Sequence, residues 1–169
     1  MTFKEELAQE LETTRQDFHH LLDSVPEVFY HHPSTNPTWT IGDVLYHITL
    51  GPTALRFEIW MIIHANRLFQ LGMNDLTSGI FNKLNALFAC RPKWITRQSL
   101  LKAYEAGHAG IMSSLKRTRE FEFQKLVVYP ASFVAELAGE VTVERLFRYV
   151  NGHFDVHADQ IRKAIEKIQ

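Results

Sequence analysis

Two histidines four residues apart, His153 and His157, are the residues whose type and spacing point most directly to chemistry. They lie in Val143–Ile168, where Val143, Leu146, Phe147, Val150, Phe154, Ile161, Ile165 and Ile168 recur at helical spacing on one face. Both imidazoles fall on that apolar stripe, His153 three after Val150 and His157 four before Ile161. A polar ring turned into a core needs a partner. A metal ion is a fitting one, because neutral imidazole is the commonest side-chain ligand and an i,i+4 pair offers two rings to one ion. Two hydrogen-bonded core histidines account for the same spacing. With 9 histidines in 169 residues, chance alone supplies about half of one such pair.

The elements that must position these rings are helices. A first helix is expected over about Phe3–Asp23, opened by a capping box of Thr2 and Glu5, with Leu7, Leu11, Thr14, Phe18, Leu21, Leu22 and Val25 inward. His19 and His20 suit its C-terminal end electrostatically. Residues 31–37, with His31 and His32, read as a loop. A second helix begins near Trp39-Thr40, capped by Thr40 with Asp43 in its first turn. It is expected to kink at Gly51-Pro52 and resume to about Phe69. His47 sits at the margin of its apolar stripe. Glu58 shares the face of His47 but lies roughly 16 Å further along the axis, too far to bind the same ion. His64 points to the surface.

Leu71–Trp94 is the least readable segment. A short helix around Thr77–Phe88 fits its spacing, as a lid, an interface or a plain crossover. A third helix spans about Arg97–Arg119 behind Thr96. Its inner face includes Tyr104, His108 and Ile111, so His108 is a third inward histidine on a third helix. His108 can be a ligand, a group that orients ligand or substrate, a catalytic base or a satisfied core residue. Phe121–Glu140 reads as extended and irregular. Lys125–Pro130 has strand character without a partner that can be named. Gly139 and Thr142 introduce the fourth helix.

Bulk properties bound the function. The length suits one domain, taken as 1–169. A net charge of -1 gives no reason to expect a nucleic-acid or anionic-membrane partner. No apolar run approaches the ~20 residues of a membrane span, and the first residues lack the apolar core of a signal peptide. The single Cys90 cannot form an intrachain disulfide and reads as incidental. These features lead us to expect a cytoplasmic protein.

Four amphipathic helices with long connections between helices 2 and 3 and between 3 and 4 predict an all-α, antiparallel four-helix bundle. Three segments resemble the DinB-like (YfiT-like) metalloenzyme family: Trp39-Thr-Ile-Gly-Asp-Val-Leu-Tyr-His47-Ile, Leu100-Leu-Lys-Ala-Tyr-Glu-Ala-Gly-His108, and Thr142 through Ile161 with its His-x-x-x-His pair. The likeness covers nearly the full length, apart from the crossover between Leu71 and Trp94. It implies that His47, His153 and His157 are three metal ligands. Three protein ligands leave room for water or substrate, as in catalytic sites. Nitrogen-only ligation suits zinc, nickel or iron, with zinc the expectation.

The resemblance further implies a small-molecule enzyme of bacterial type. The leading expectation is a transferase that joins a low-molecular-weight thiol to an electrophile, with His108, Tyr46 or Tyr104 orienting the substrate. A metal-dependent hydrolase of small amides is the alternative. A non-catalytic metal- or ligand-binding stress-response module is another. An inert bundle forming a homodimer through exposed Trp60 or Phe69 is the last.

Overall fold

A computed structural model describes residues 2–74, 77, 79 and 95–168. Cys90 falls outside that description. So does most of the 71–94 crossover, including the short helix expected over 77–88 apart from residues 77 and 79.

The chain is mostly helical, consistent with the all-α expectation. The described residues form, in chain order, α1 (Phe3–Ser24), α2 (Ile41–His64), α3 (Asn66–Gly72), α4 (Arg97–Arg117), β1 (Leu126–Tyr129), β2 (Gly139–Thr142) and α5 (Val143–Glu166), with short 3-10 turns between some of them. Each of the four long helices starts behind a threonine. Thr2, Thr40, Thr96 and Thr142 each accept a hydrogen bond from the backbone N–H three residues on. Thr2–Glu5 closes the reciprocal capping box that the sequence suggested, and Thr40–Asp43, expected as a cap and a dipole partner, closes one as well. Four orphan N–H groups at each helix start make such caps worth about 1 kcal/mol apiece.

The four long helices pack in a ring: α2 lies against α4 and α5, and α1 lies against the same two. The α2 helix continues through Pro52, although proline lacks the N–H that would bond to the Ile48 carbonyl. It stops at Ala65, earlier than the expected Phe69, and the chain turns into α3.

Inside the ring the apolar core falls into two clusters. One holds Leu7, Leu11, Leu55, Ile59, Phe147 and Val150. The other holds Phe18, Leu22, Val44, Ile48, Phe154 and Ile161. The boundary crosses α5 between Val150 and Phe154, and α2 between Ile48 and Leu55. His153 and Gly51 occupy those two gaps.

The strand expected around Lys125–Pro130 does have a partner. β1 pairs antiparallel with β2 in the register Leu126↔Thr142, Val127↔Val141, Val128↔Glu140 and Tyr129↔Gly139. Alternation buries Val127 and Tyr129 and exposes Leu126 and Val128. The β2 sequence Gly-Glu-Val-Thr has a single apolar residue facing inward, which left no hydrophobic signal to read. The free edge of β1 is covered from α3. Asn66 Nδ2 donates to the Leu126 carbonyl at 2.8 Å. Gln70 both accepts from the Val128 N–H at 2.7 Å and donates to the Val128 carbonyl at 3.1 Å. No helix among the described residues is long and apolar enough to cross a membrane.

Candidate metal centre

The two helix faces that meet at the core boundary bring three histidines together. His47 comes from the second turn of α2, and His153 and His157 from successive turns of α5. Their ring centroids form a near-equilateral triangle, with sides of 4.9 Å (47–153), 4.6 Å (47–157) and 4.7 Å (153–157). One nitrogen from each ring lies within 4.8 Å of the others. Nε2 of His47 is 3.1 Å from Nε2 of His153. Two nitrogens bound to one tetrahedral zinc at ~2.0–2.1 Å stand about 3.3–3.4 Å apart, so this pair is already at coordination spacing. A hydrogen bond between two neutral imidazoles explains one side of the triangle and leaves His157 outside it.

The third ring is set by its neighbour one turn on. His157 Nδ1 lies 2.9 Å from Gln160 Oε1. An amide oxygen accepts, so Nδ1 carries the proton and Nε2 keeps its lone pair for the cluster. His153 reaches α2 because residue 51 has no side chain: a Cβ there would stand 2.7 Å from His153 Nδ1. Trp39, just before α2, walls the cluster with its indole 5.0 Å from the His47 ring and 6.4 Å from that of His157.

Electrostatics favour neutral rings. Burial, with the nearby His157, lowers His47 to about 4. Burial first, and then the two neighbouring imidazoles, holds His153 well below the usual histidine range. Burial also lowers His157, against a smaller opposing pull from Gln160 and Glu136. The neutral imidazole is the form that ligates. Nδ1 of His47 is buried without a hydrogen-bond partner among the described residues. A proton left there costs about 1–3 kcal/mol, well below the ~10–16 kcal/mol that a structural zinc site can return. The three rings therefore fit a divalent cation by nitrogen spacing, protonation state and tautomer.

The cluster opens on a cavity of about 260 Å³. Its walls are mainly apolar, including Trp39, Leu50, Leu55, Phe133, Leu137 and Val156. Among the described residues the polar lining besides the histidines and the Trp39 indole is Glu58, Glu136, Tyr129 and Tyr149. Sequence reasoning missed all four as site residues. Glu58 had a usable signal, the helical face it shares with His47. Tyr129 had one in the alternation of β1.

His108 does not join the cluster or line the cavity. It is buried against α1, with Nε2 3.4 Å from Glu12 Oε2. Arg15 ties Glu12 at 2.6 Å to Glu105 at 3.0 Å, and His19 sits 2.6 Å from Glu105. This α1–α4 polar seam absorbs both histidines. Tyr104 stacks on Phe18 at 4.1 Å in the core, and neither it nor Tyr46 lines the cavity. Trp60 is 52% exposed. Phe69 is partly buried against the core, 6.4 Å from Tyr129. His64 is exposed beside Trp60, as expected.

The family model of the DinB superfamily matches residues 10–161. No curated protein and no solved structure matches the chain.

Proposed function

The chain belongs to the DinB superfamily, and from that membership and the histidine triangle we propose that it is a metal-dependent transferase joining a low-molecular-weight thiol to a small electrophile. The observation that carries this reading is the set of three ligand nitrogens within 4.8 Å at the wall of a cavity. His47, His153 and His157 would hold a divalent ion, zinc by preference. Such an ion lowers the pKa of a thiol or water and so supplies a nucleophile at neutral pH.

The rest is the work of the chain's own residues. Gln160 holds His157 in the tautomer that presents Nε2. Trp39 packs beside the His47 and His157 rings. The apolar walls offer little competition for the electrophile's hydrophobic part. Among the described residues the three rings hydrogen-bond to one another and to Gln160, and to no carboxyl group.

We read the four long helices as one antiparallel four-helix-bundle domain over 1–169, with the pairings of α2 and α1 against α4 and α5 in support. Metal analysis of protein purified without a histidine tag is the first test. About one divalent ion per chain, lost in His153→Ala, supports the centre. No tight binding, with all three His→Ala variants folded as before, overturns it. Metal-loaded protein is then screened with small thiols and varied electrophiles. Consumption that depends on His153 supports transfer, and none above background favours a binding module.

A further inference from the structure

Glu58 lines the same cavity as the histidines, further along α2. It is seven residues beyond Gly51 on α2, about 10 Å along the helix axis, and Gly51 is where His153 crosses. Its Oε2 accepts a hydrogen bond from the Tyr129 hydroxyl at 2.6 Å, its only hydrogen-bond partner among the described residues. Among the described residues that line the cavity there is no lysine or arginine, and the other carboxyl is Glu136. A carboxylate drawn out of water without a cation beside it is costly. Burial accordingly pushes the Glu58 carboxyl up to about 7, against the pull of the Tyr129 hydrogen bond. With Oε2 held by Tyr129 and no counter-charge among the described lining residues, the carboxyl suits a cationic hydrogen-bond donor brought by a ligand.

We infer that Glu58, braced by Tyr129, is a subsite for a protonated amine, so that the cavity's ligand carries an ammonium group at the end away from the atom held at the histidines. This rests on the reading of the cavity as a substrate site and adds the chemical class of its far end. Tyr129 fixes one carboxylate oxygen and leaves the other to the ligand. A ligand with a phosphate or carboxylate at that end meets the Glu58 and Glu136 carboxyls and no cation among the described lining residues. The cavity volume of about 260 Å³ limits the ligand to a small molecule.

The test compares n-pentylamine, 1-pentanol and pentanoate as ligands of the full chain by calorimetry, both zinc-loaded and after chelation. In chelated protein the amine binds at least about tenfold more tightly than the alcohol, and pentanoate binds more weakly than either. Glu58→Gln abolishes the amine's advantage, and Tyr129→Phe reduces it. Equal binding of amine and alcohol to the unmutated protein overturns the subsite, as does an amine preference that survives Glu58→Gln or pentanoate binding best after chelation. The metal centre is judged separately, by zinc titration of the same samples. A protein that prefers the amine but binds no zinc keeps the subsite and loses the proposed reaction.

Discussion

A Cβ placed on Gly51 would stand 2.7 Å from Nδ1 and 3.0 Å from Cε1 of His153. The absence of one methyl group on α2 therefore lets a ring from α5 reach His47. Gly51→Ala sets two effects against each other. Alanine favours a helix interior by about 1 kcal/mol, but its methyl displaces the His153 ring. We expect a folded, helical protein whose zinc affinity falls about 10–100-fold. Gly152→Ala is the control. Its Cβ would meet nothing closer than Tyr149 Cδ2 at 3.4 Å, so it should keep zinc affinity and melt at or above the unmutated protein. Thermal melts by circular dichroism and competitive zinc titration check both.

The metal-free protein should lose stability as the pH falls from about 6.5 towards 4. His47 drops from the ordinary 6.5 to about 4, chiefly through burial, and His153 and His157 are lowered as well. Below pH 6.5 the unfolded chain takes up protons that the folded chain refuses. Stability is therefore fully present above the unfolded value and declines towards the folded one, on the order of 1 kcal/mol per pH unit for each uncoupled ring. Urea denaturation at pH 5 and pH 7 measures the slope. His47→Phe should flatten it, and an unchanged slope in that variant would assign the effect to other groups.

His108→Gln should leave zinc affinity unchanged and cost about 1 kcal/mol of stability. Its ring is buried against Glu12 on the α1 side, away from the triangle. Parallel zinc titration and urea denaturation separate the two effects. A loss of affinity comparable to that of His153→Ala would return His108 to the metal centre.

Helical phase made His153 and His157 readable as inward rings, the family resemblance added His47, and phase alone left the role of His108 open. Spacing tells which side of a helix a residue occupies, and threonine caps with apolar stripes located all four long helices to within a few residues. In a ring of four helices, however, inward covers two directions. His153 and His157 turn towards α2, whereas His108 turns towards Glu12 on α1. Glu58 failed a different test. Its height on α2 rightly excluded it from a shared coordination sphere, but a cavity is longer than a metal–ligand bond. Tyr129 reaches that cavity from a hairpin whose second strand carries one inward apolar residue, Val141.

Gln160 should matter to metal binding without touching the metal. Its Oε1 lies 2.9 Å from His157 Nδ1 and dictates which nitrogen carries the proton. Gln160→Leu keeps the bulk and removes the acceptor, so His157 can place its proton on Nε2, where it blocks ligation. Zinc affinity should then fall about 10–100-fold, with little change in the melting of the metal-free protein because the position is only partly buried. Gln160→Glu keeps an acceptor and adds charge. It should bind zinc at least as tightly as the unmutated chain and raise the His157 pKa. The readouts are competitive zinc titration and the histidine ring signals in nitrogen-15 NMR, which report the tautomer directly. Equal affinity in all three proteins would mean that His157 orients itself, or that it does not bind the ion at all.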